Sequence, residues 1–373
     1  MPIVIQPYRE EHEPAVAEFN RRLQEASADR DLVFSETAIP HWLPRRGEIP
    51  LWNEFFVAVE GSFVRGAYAL KHEQIFIREN GLHSVACYHH ALSEGIIDRK
   101  YASVGGLLVR DALARQPLLY VLGMGGYELP LPRMLKALEF SLIPVPFYFR
   151  VVHPRKFFLE MNALRNSRWR ALLMDIAAAT GTGWLAIKAA QTAATLRGRL
   201  ADFAAEDVTE FSAWADDLWR EAKDAVSMAS VRDANTLRIL YPAENSHLTR
   251  IRVSRNDAAI GWAIVGERRK DQTKFGGMRV GSIVDCWSSP ANTLPVVRAA
   301  TQALEKRGVD LIVSNQTHHA WCRAFEDSGF LKGPSTFIFA ASKKLTGLLQ
   351  PLEEDQKSLH VTRADGDGLP RNF

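Results

Sequence analysis

Two stretches of this 373-residue chain carry residue types at spacings suited to chemistry. The first is Lys100-Tyr101-Ala102-Ser103-Val104-Gly105-Gly106, directly ahead of the apolar run Leu107-Leu108-Val109. A helix N-terminus has bare N–H groups and a partial positive charge, so it attracts phosphate. Gly105 and Gly106 lack the side chains that would hold a ligand away from that backbone. Val104 adds an amide, Ser103 a hydroxyl, and Lys100, with Arg99 beside it, a mobile cation. A turn that merely needs glycine would look the same, so context must decide. The second stretch is the run just upstream, with His89, His90 and Glu94. An imidazole titrates near neutrality and suits proton transfer, and Glu94 could act through a water. Each histidine reads equally as a hydrogen-bonded core or surface residue. Tyr127 is the nearest phenol to the helical run 131–140, whereas Tyr120 reads as a packed strand residue.

A third group lies in the second half. Asp285 sits inside an apolar strand, where an unpaired carboxylate is costly, so it should meet a partner such as Arg232 or face an acceptor. Asn315, Gln316, His318, His319 and Trp321 follow the next strand, at the sheet end where open sheets gather ligands. An aromatic plane among amides and imidazoles suits a sugar; the other reading is a hydrogen-bonded loop around a core tryptophan. His318, His319 and Cys322 are crowded together in sequence with no second cluster, so no metal site is expected.

Composition bounds the options. Hydrophobic residues are 47% and charged residues 24%, as in a soluble globular protein. A net charge of +3 speaks against a nucleic-acid partner. Three scattered cysteines fit free thiols in a reducing compartment, and the N-terminal run turns acidic before any signal-like apolar core, so a cytoplasmic location is expected. Residues 164–200 are alanine-rich with basic flanks, but Asp175 and Lys188 interrupt the apolar run. They read as a helical linker, or as a helix resting on the inner face of an anionic membrane.

The elements that must position these residues follow from periodicity. Val16, Phe19 and Leu23 mark an amphipathic helix; 55–77 reads as two strands, 82–97 as a strand region, 117–126 as a buried strand, 131–140 as a short helix and 145–152 as a closing strand. From 207 the order recurs: a helix with Phe211, Trp214 and Leu218, a hairpin turning at Asn256-Asp257, strand 278–290, a helix with Val297 and Leu304, strand 309–317, helix 319–330 and strand 336–342. Both halves run helix, hairpin, strand, helix, strand, short helix, strand. This predicts an α+β (α/β) fold of two domains, 1–152 and 205–345, joined by a helical segment 153–204 and followed by a loose tail 346–373.

Lys100-x-x-Ser103-x-Gly105 resembles the R/Q-x-x-G-x-G/A loop of the GCN5-related N-acetyltransferases (GNAT), and the element order of both halves is similar to that fold. Ala324-Phe325-Glu326-Asp327-Ser328-Gly329-Phe330 resembles the family's helix ending in K-x-G-F. The resemblance implies tandem GNAT-like domains, each a mixed, mostly antiparallel sheet with flanking helices. It implies acetyl-CoA as co-substrate, held by Lys100, Ser103, Val104, Gly105 and Gly106, with direct transfer and no metal. His89, His90, Glu94 and Tyr127 would be the catalytic candidates; Arg232, Asp285, Asn315, Gln316, His318 and Trp321 would bind the acceptor. The second block lacks the loop, having Ser288-Ser289-Pro290 there instead, so it would shape the acceptor site or be a degenerate copy. Arg232-Asp233 and the GSIVD strand are similar to GNAT-type proteins of bacterial polysaccharide pathways, implying a small-molecule or lipid-linked sugar acceptor. The tandem arrangement also resembles the Fem-type transferases that use aminoacyl-tRNA. Such a transferase, or a non-catalytic GNAT-fold binding module, are the alternatives.

Overall fold

The structure is a computed structural model that describes residues 2–26, 32–161, 185, 189, 191–193, 202–269, 275–350, 352 and 356–366. Apart from Leu185, Ala189 and 191–193, the segment 164–200 with its expected linker or membrane-surface helix lies outside the described residues. Among the described residues no helix is long and apolar enough to cross a membrane. The chain forms two compact units.

The first unit holds β1 (Val4–Pro7), α1 (Glu13–Ala26), β2 (Trp52–Glu60), β3 (Phe63–Ile77), β4 (Gly81–Ser93), α2 (Val104–Arg115), β5 (Leu119–Gly123), α3 (Pro130–Ala137) and β6 (Ser141–Pro144). The second holds β7 (Phe147–Val151), α4 (Pro154–Glu160), β8 (Ala204–Val208), α5 (Ala213–Ala222), β9 (Met228–Ser230), α6 (Ala234–Leu240), β10 (Leu248–Arg255), β11 (Ala258–Arg269), β12 (Arg279–Ser288), α7 (Thr293–Lys306), β13 (Leu311–Asn315), α8 (His319–Asp327) and β14 (Leu331–Gly333). The chain then supplies β15 (Ile338–Ala341) and α9 (Lys343–Leu348) to the first unit and β16 (Leu359–His360) to the second.

Apolar spacing sets the helix faces. Val16, Phe19 and Leu23 of α1 are buried against Val57, Val64 and Ala67, while Arg21 on the outer face pairs with Glu18 and Glu25. On the other sheet face, Val104, Leu108, Val109 and Ala112 of α2 pack on Phe56, Tyr68, Leu70, Ala86, Tyr88, Leu119 and Val121. In the second unit Val296, Val297, Ala300 and Leu304 of α7 cover Ile251, Val253, Ala263, Val265 and Ile283 in the same way. Asn256 and Asp257 both have positive φ (48° and 64°), the tight hairpin turn their types favour.

Strand order corrects the expected boundaries. The first sheet runs β1-β2-β3-β4-β5-β15-β6 and the second β14-β7-β13-β12-β11-β10-β8. Residues 147–151, read as closing the first block, lie antiparallel between β13 and β14. Residues 338–341, read as closing the second block, lie antiparallel between β5 and β6. A local apolar pattern identifies a strand but not the sheet that accepts it, since pairing is non-local. The tail is likewise not loose where described: Leu359, His360, Val361 and Thr362 are buried.

Candidate active site

The first unit opens between two central strands. β4 and β5 run parallel and pair only at Ala86 with Leu119 and Cys87 with Tyr120. Beyond that β4 is bulged: its register with β3 jumps from His89–Ala69 to Leu92–Ala67, and His90 takes a positive φ of 49°. After β4 the chain makes two single turns. Ser93 accepts from the Gly95 amide (3.1 Å) and Asp98 from the Lys100 amide (2.9 Å). It then enters α2, where Leu107 N–H donates to the Ser103 carbonyl (3.1 Å) as the first rung of the ladder. The amides of Val104, Gly105 and Gly106 therefore precede the ladder.

The glycines there are not demanded by the protein. Neither Gly105 nor Gly106 has a positive φ, and a Cβ at either would meet only Met134, at 3.7 Å, an ordinary contact. Gly66 differs: a Cβ there would stand 2.8 Å from Val104 Cγ1. Packing and backbone conformation would thus admit a side chain at 105 and at 106. Ser103, at φ −75°, fits its place without a left-handed backbone. Lys100 Nζ lies over the Tyr101 ring (5.1 Å to its centre).

A polar row that periodicity did not show crosses the sheet face opposite α2. Asn53 on β2 stands opposite Lys71 on β3, Lys71 opposite Cys87 on β4, and Cys87 opposite Tyr120 on β5; cross-strand partners share a face. All four are buried. Lys71 Nζ donates to the Asp365 carbonyl (2.8 Å) and pairs with Glu73 (3.1 Å), and the Tyr120 hydroxyl reaches the same carbonyl and Glu73. Burial opposes the Lys71 ammonium, but the charges of Glu73, Cys87 and Asp365 outweigh it and push its pKa up. Burial first, then Glu73, pushes the Tyr120 phenol far above its usual range. The sequence signal was a polar Lys-His-Glu-Gln run inside an otherwise apolar strand.

His89 lies on the same face, two residues from Cys87. Its Nε2 is 3.1 Å from Asn53 Oδ1, and its Nδ1 is buried with no hydrogen-bond partner among the described residues. Burial, joined by the charges of His90 and Lys71, holds the ring well below the usual imidazole range, so it is neutral. The His90 ring stands 4.9 Å from it. Glu94 is committed elsewhere: its carboxylate takes Arg22 Nε and Arg65 Nη1, each at 2.9 Å. Tyr127 lies between β5 and α3, 45% exposed, and partial burial raises its pKa.

The second unit repeats the fork and closes it. β12 and β13 pair in parallel from Val280–Leu311 to Ser282–Val313, and β12 is bulged between Ile283 and Asp285. Its own C-terminal segment lies against the end of β13. Gln316 bridges to Thr362, Thr317 N–H donates to the Val361 carbonyl (3.2 Å), and Val361 N–H donates to Thr317 Oγ1 (2.9 Å). The His360 ring meets Trp287 edge to face at 4.8 Å. Arg232 binds Asp285 at 3.1 Å, and Asp285 also accepts from Tyr241 (2.8 Å) and Thr362 (3.2 Å). The expected acceptor set, Arg232, Asp285, Asn315, Gln316, His318 and Trp321, is thus brought together, but each is 3% exposed or less and none presents a surface to an acceptor. The pair Arg232–Asp285 is the one foreseen on the cost of an unpaired carboxylate; Trp321 is core.

No family model and no curated protein sequence matches the chain. Solved structures do. N-myristoyltransferase of Saccharomyces cerevisiae with bound myristoyl-CoA superposes with a TM-score of 0.55 at 11% identity, over 92% of this chain and 79% of that one. A probable N-acyltransferase from Enterococcus faecalis V583 gives 0.51 at 8% identity, over 93% and 74%. A GCN5-related N-acetyltransferase from Anabaena variabilis gives 0.50 at 9%, over 91% and 72%. With a bulged strand, a parallel fork and the helix that follows it present in each half, the chain carries the GCN5-related N-acetyltransferase fold twice in tandem.

Proposed function

We propose that the chain is an acyl-CoA-dependent acyltransferase whose first unit alone holds the donor and passes its acyl group directly to an amine or hydroxyl. The observation that carries this is the start of α2: three amides ahead of the ladder, at two glycines that nothing among the described residues requires. Backbone N–H groups and the helix dipole suit a pyrophosphate there. The bound myristoyl-CoA of the yeast structure supports a thioester donor on this fold. A CoA thioester supplies an activated carbonyl carbon. His89, neutral and on the strand that flanks the fork, takes the proton of the acceptor as its nitrogen or oxygen bonds to that carbon and the C–S bond breaks. Tyr127, whose raised pKa keeps its proton at neutral pH, supplies a proton to the departing thiolate. Glu94, held by two arginines, keeps the chain between β4 and α2 in place. A carbohydrate acceptor and a polysaccharide role lose the support of Arg232, Asp285, Asn315, Gln316, His318 and Trp321, which are buried in the second unit.

Calorimetry on the full chain tests this. Acetyl-CoA and longer acyl-CoAs should include a binder at one equivalent per chain. Gly106→Val should weaken it about tenfold or more, the cost of blocking a charge-assisted contact, while leaving the melting temperature unchanged. Absence of binding or thermal shift with any of these thioesters at millimolar concentration would sink the proposal.

A further inference from the structure

Asn53 settles a proton position that a histidine alone leaves open. Its side-chain amide has one acceptor end and one donor end, and the surroundings fix which is which. One end lies 3.0 Å from the Trp42 carbonyl oxygen, which can only accept, so that end is the NH₂. The other end is then the oxygen, and it faces His89 Nε2 at 3.1 Å. An oxygen acceptor requires a donor, so Nε2 carries the ring proton and Nδ1 holds the lone pair. The backbone agrees: Asn53 N–H donates to the Leu43 carbonyl (2.7 Å), so main chain and side chain of Asn53 are both tied to the 42–43 turn, where Leu43 has a positive φ of 52°. Asn53 is 5% exposed, and His89 Nδ1 is sealed from solvent without a partner among the described residues. A buried acceptor without a partner costs about 1–3 kcal/mol.

We propose that Asn53 is a positioning residue that fixes His89 in the Nε2–H tautomer and so leaves Nδ1 as the ring nitrogen able to accept a proton. This rests on the acyl-transfer reading above. The groups facing the ring are consistent with a base that stays neutral: Lys71 on β3 and His90 on β4 disfavour a cation, and Asn53 on β2 is uncharged. Glu73, the nearest carboxylate on β3, is bound to Lys71 rather than to His89.

The test is ring-nitrogen NMR on the full chain labelled with ¹⁵N-histidine, with the His89 signals assigned by their loss in His89→Gln. The expected wild-type pattern is a protonated Nε2 and a pyridine-like Nδ1. Asn53→Leu should mix the tautomers and lower kcat about tenfold or more with KM for acyl-CoA unchanged, within the range general bases contribute. Asn53→Asp restores an acceptor and should recover the Nε2–H pattern. Its charge should also move the acid limb of the kcat/KM profile to higher pH. A wild-type ring protonated at Nδ1 overturns the proposal, as does an Asn53→Leu variant with unchanged tautomer and kcat. Should Asn53→Leu not fold, the wild-type spectrum alone decides the proton position. An Nε2–H ring combined with full activity in His89→Gln overturns instead the reading of His89 as the base.

Discussion

His89 and His360 are both buried neutral, and each gives the fold a pH dependence of known sign. Burial, then the Arg232 and His318 charges, holds His360 well below the imidazole range; burial, then His90 and Lys71, does so for His89. Each ring binds its proton less readily folded than unfolded, so as pH falls the unfolded chain takes up protons first. The stability tied to the neutral rings is complete above about pH 6.5 and is lost as pH drops below it, at up to about 1.4 kcal/mol per pH unit per ring. His360→Leu should remove one of the two contributions, and melting temperatures between pH 7.5 and 5 should fall less steeply than in wild type; equal slopes would refute the assignment. At this scale the sequence was uneven. His89 stood out because an imidazole in an apolar strand is conspicuous. Asn53, Lys71, Cys87 and Tyr120 did not, because their row exists only once three ladders have their register. Trp321 looked like a sugar platform because nothing local shows that another segment covers it.

Elements were easier to foresee than their partners. The 3.6-residue pattern of α1 and α7 and the Asn256-Asp257 turn are local properties, and the structure has them where the pattern puts them. The C-terminal segment escaped notice because its ordered core, Leu359-His360-Val361, is too short for any period to show, and its neighbours are polar. It pairs in parallel with β9 and is held by Thr317, whose hydroxyl donates to the Leu359 carbonyl (2.5 Å) and accepts from Val361. Thr317→Val leaves a buried N–H and a buried carbonyl without that partner, an expected loss of about 1–3 kcal/mol. Val361→Asp places a carboxylate where the side chain is 1% exposed and should cost more. Urea denaturation ranks the two. Unchanged midpoints in both would mean that the segment is not part of the second unit's folded core.

At the scale of the whole chain, the two units do not coincide with the two halves of the sequence. Each sheet takes one interior strand from the far side of the repeat: β15 lies between β5 and β6, and β7 between β13 and β14. Duplicated element order was legible because each block can be read on its own. The exchange was not, since both strands are short apolar runs that either sheet could accept. It has a direct consequence for dissection. A fragment 1–152 would carry β7 without its sheet and lack β15, so β5 and β6 would lose the strand that satisfies their facing N–H and C=O groups, from Tyr120–Ala341 to Gly123–Ile338 and from Ser141–Ala341 to Pro144–Ile338. That fragment should be insoluble or lack a cooperative melt. A fragment in which residues 1–144 are followed, through a flexible linker, by 336–350 restores the strand, though not the Asp365 carbonyl that Lys71 and Tyr120 bind, and should melt more cooperatively than 1–152. The linker must let residue 336 enter antiparallel to β5, at about 5–6 Å times the square root of its length for a glycine-rich chain. Cooperative folding of 1–152 by itself, judged by calorimetry and by dispersed amide resonances, would mean that β7 can replace β15 in the first sheet and that the exchange is not required.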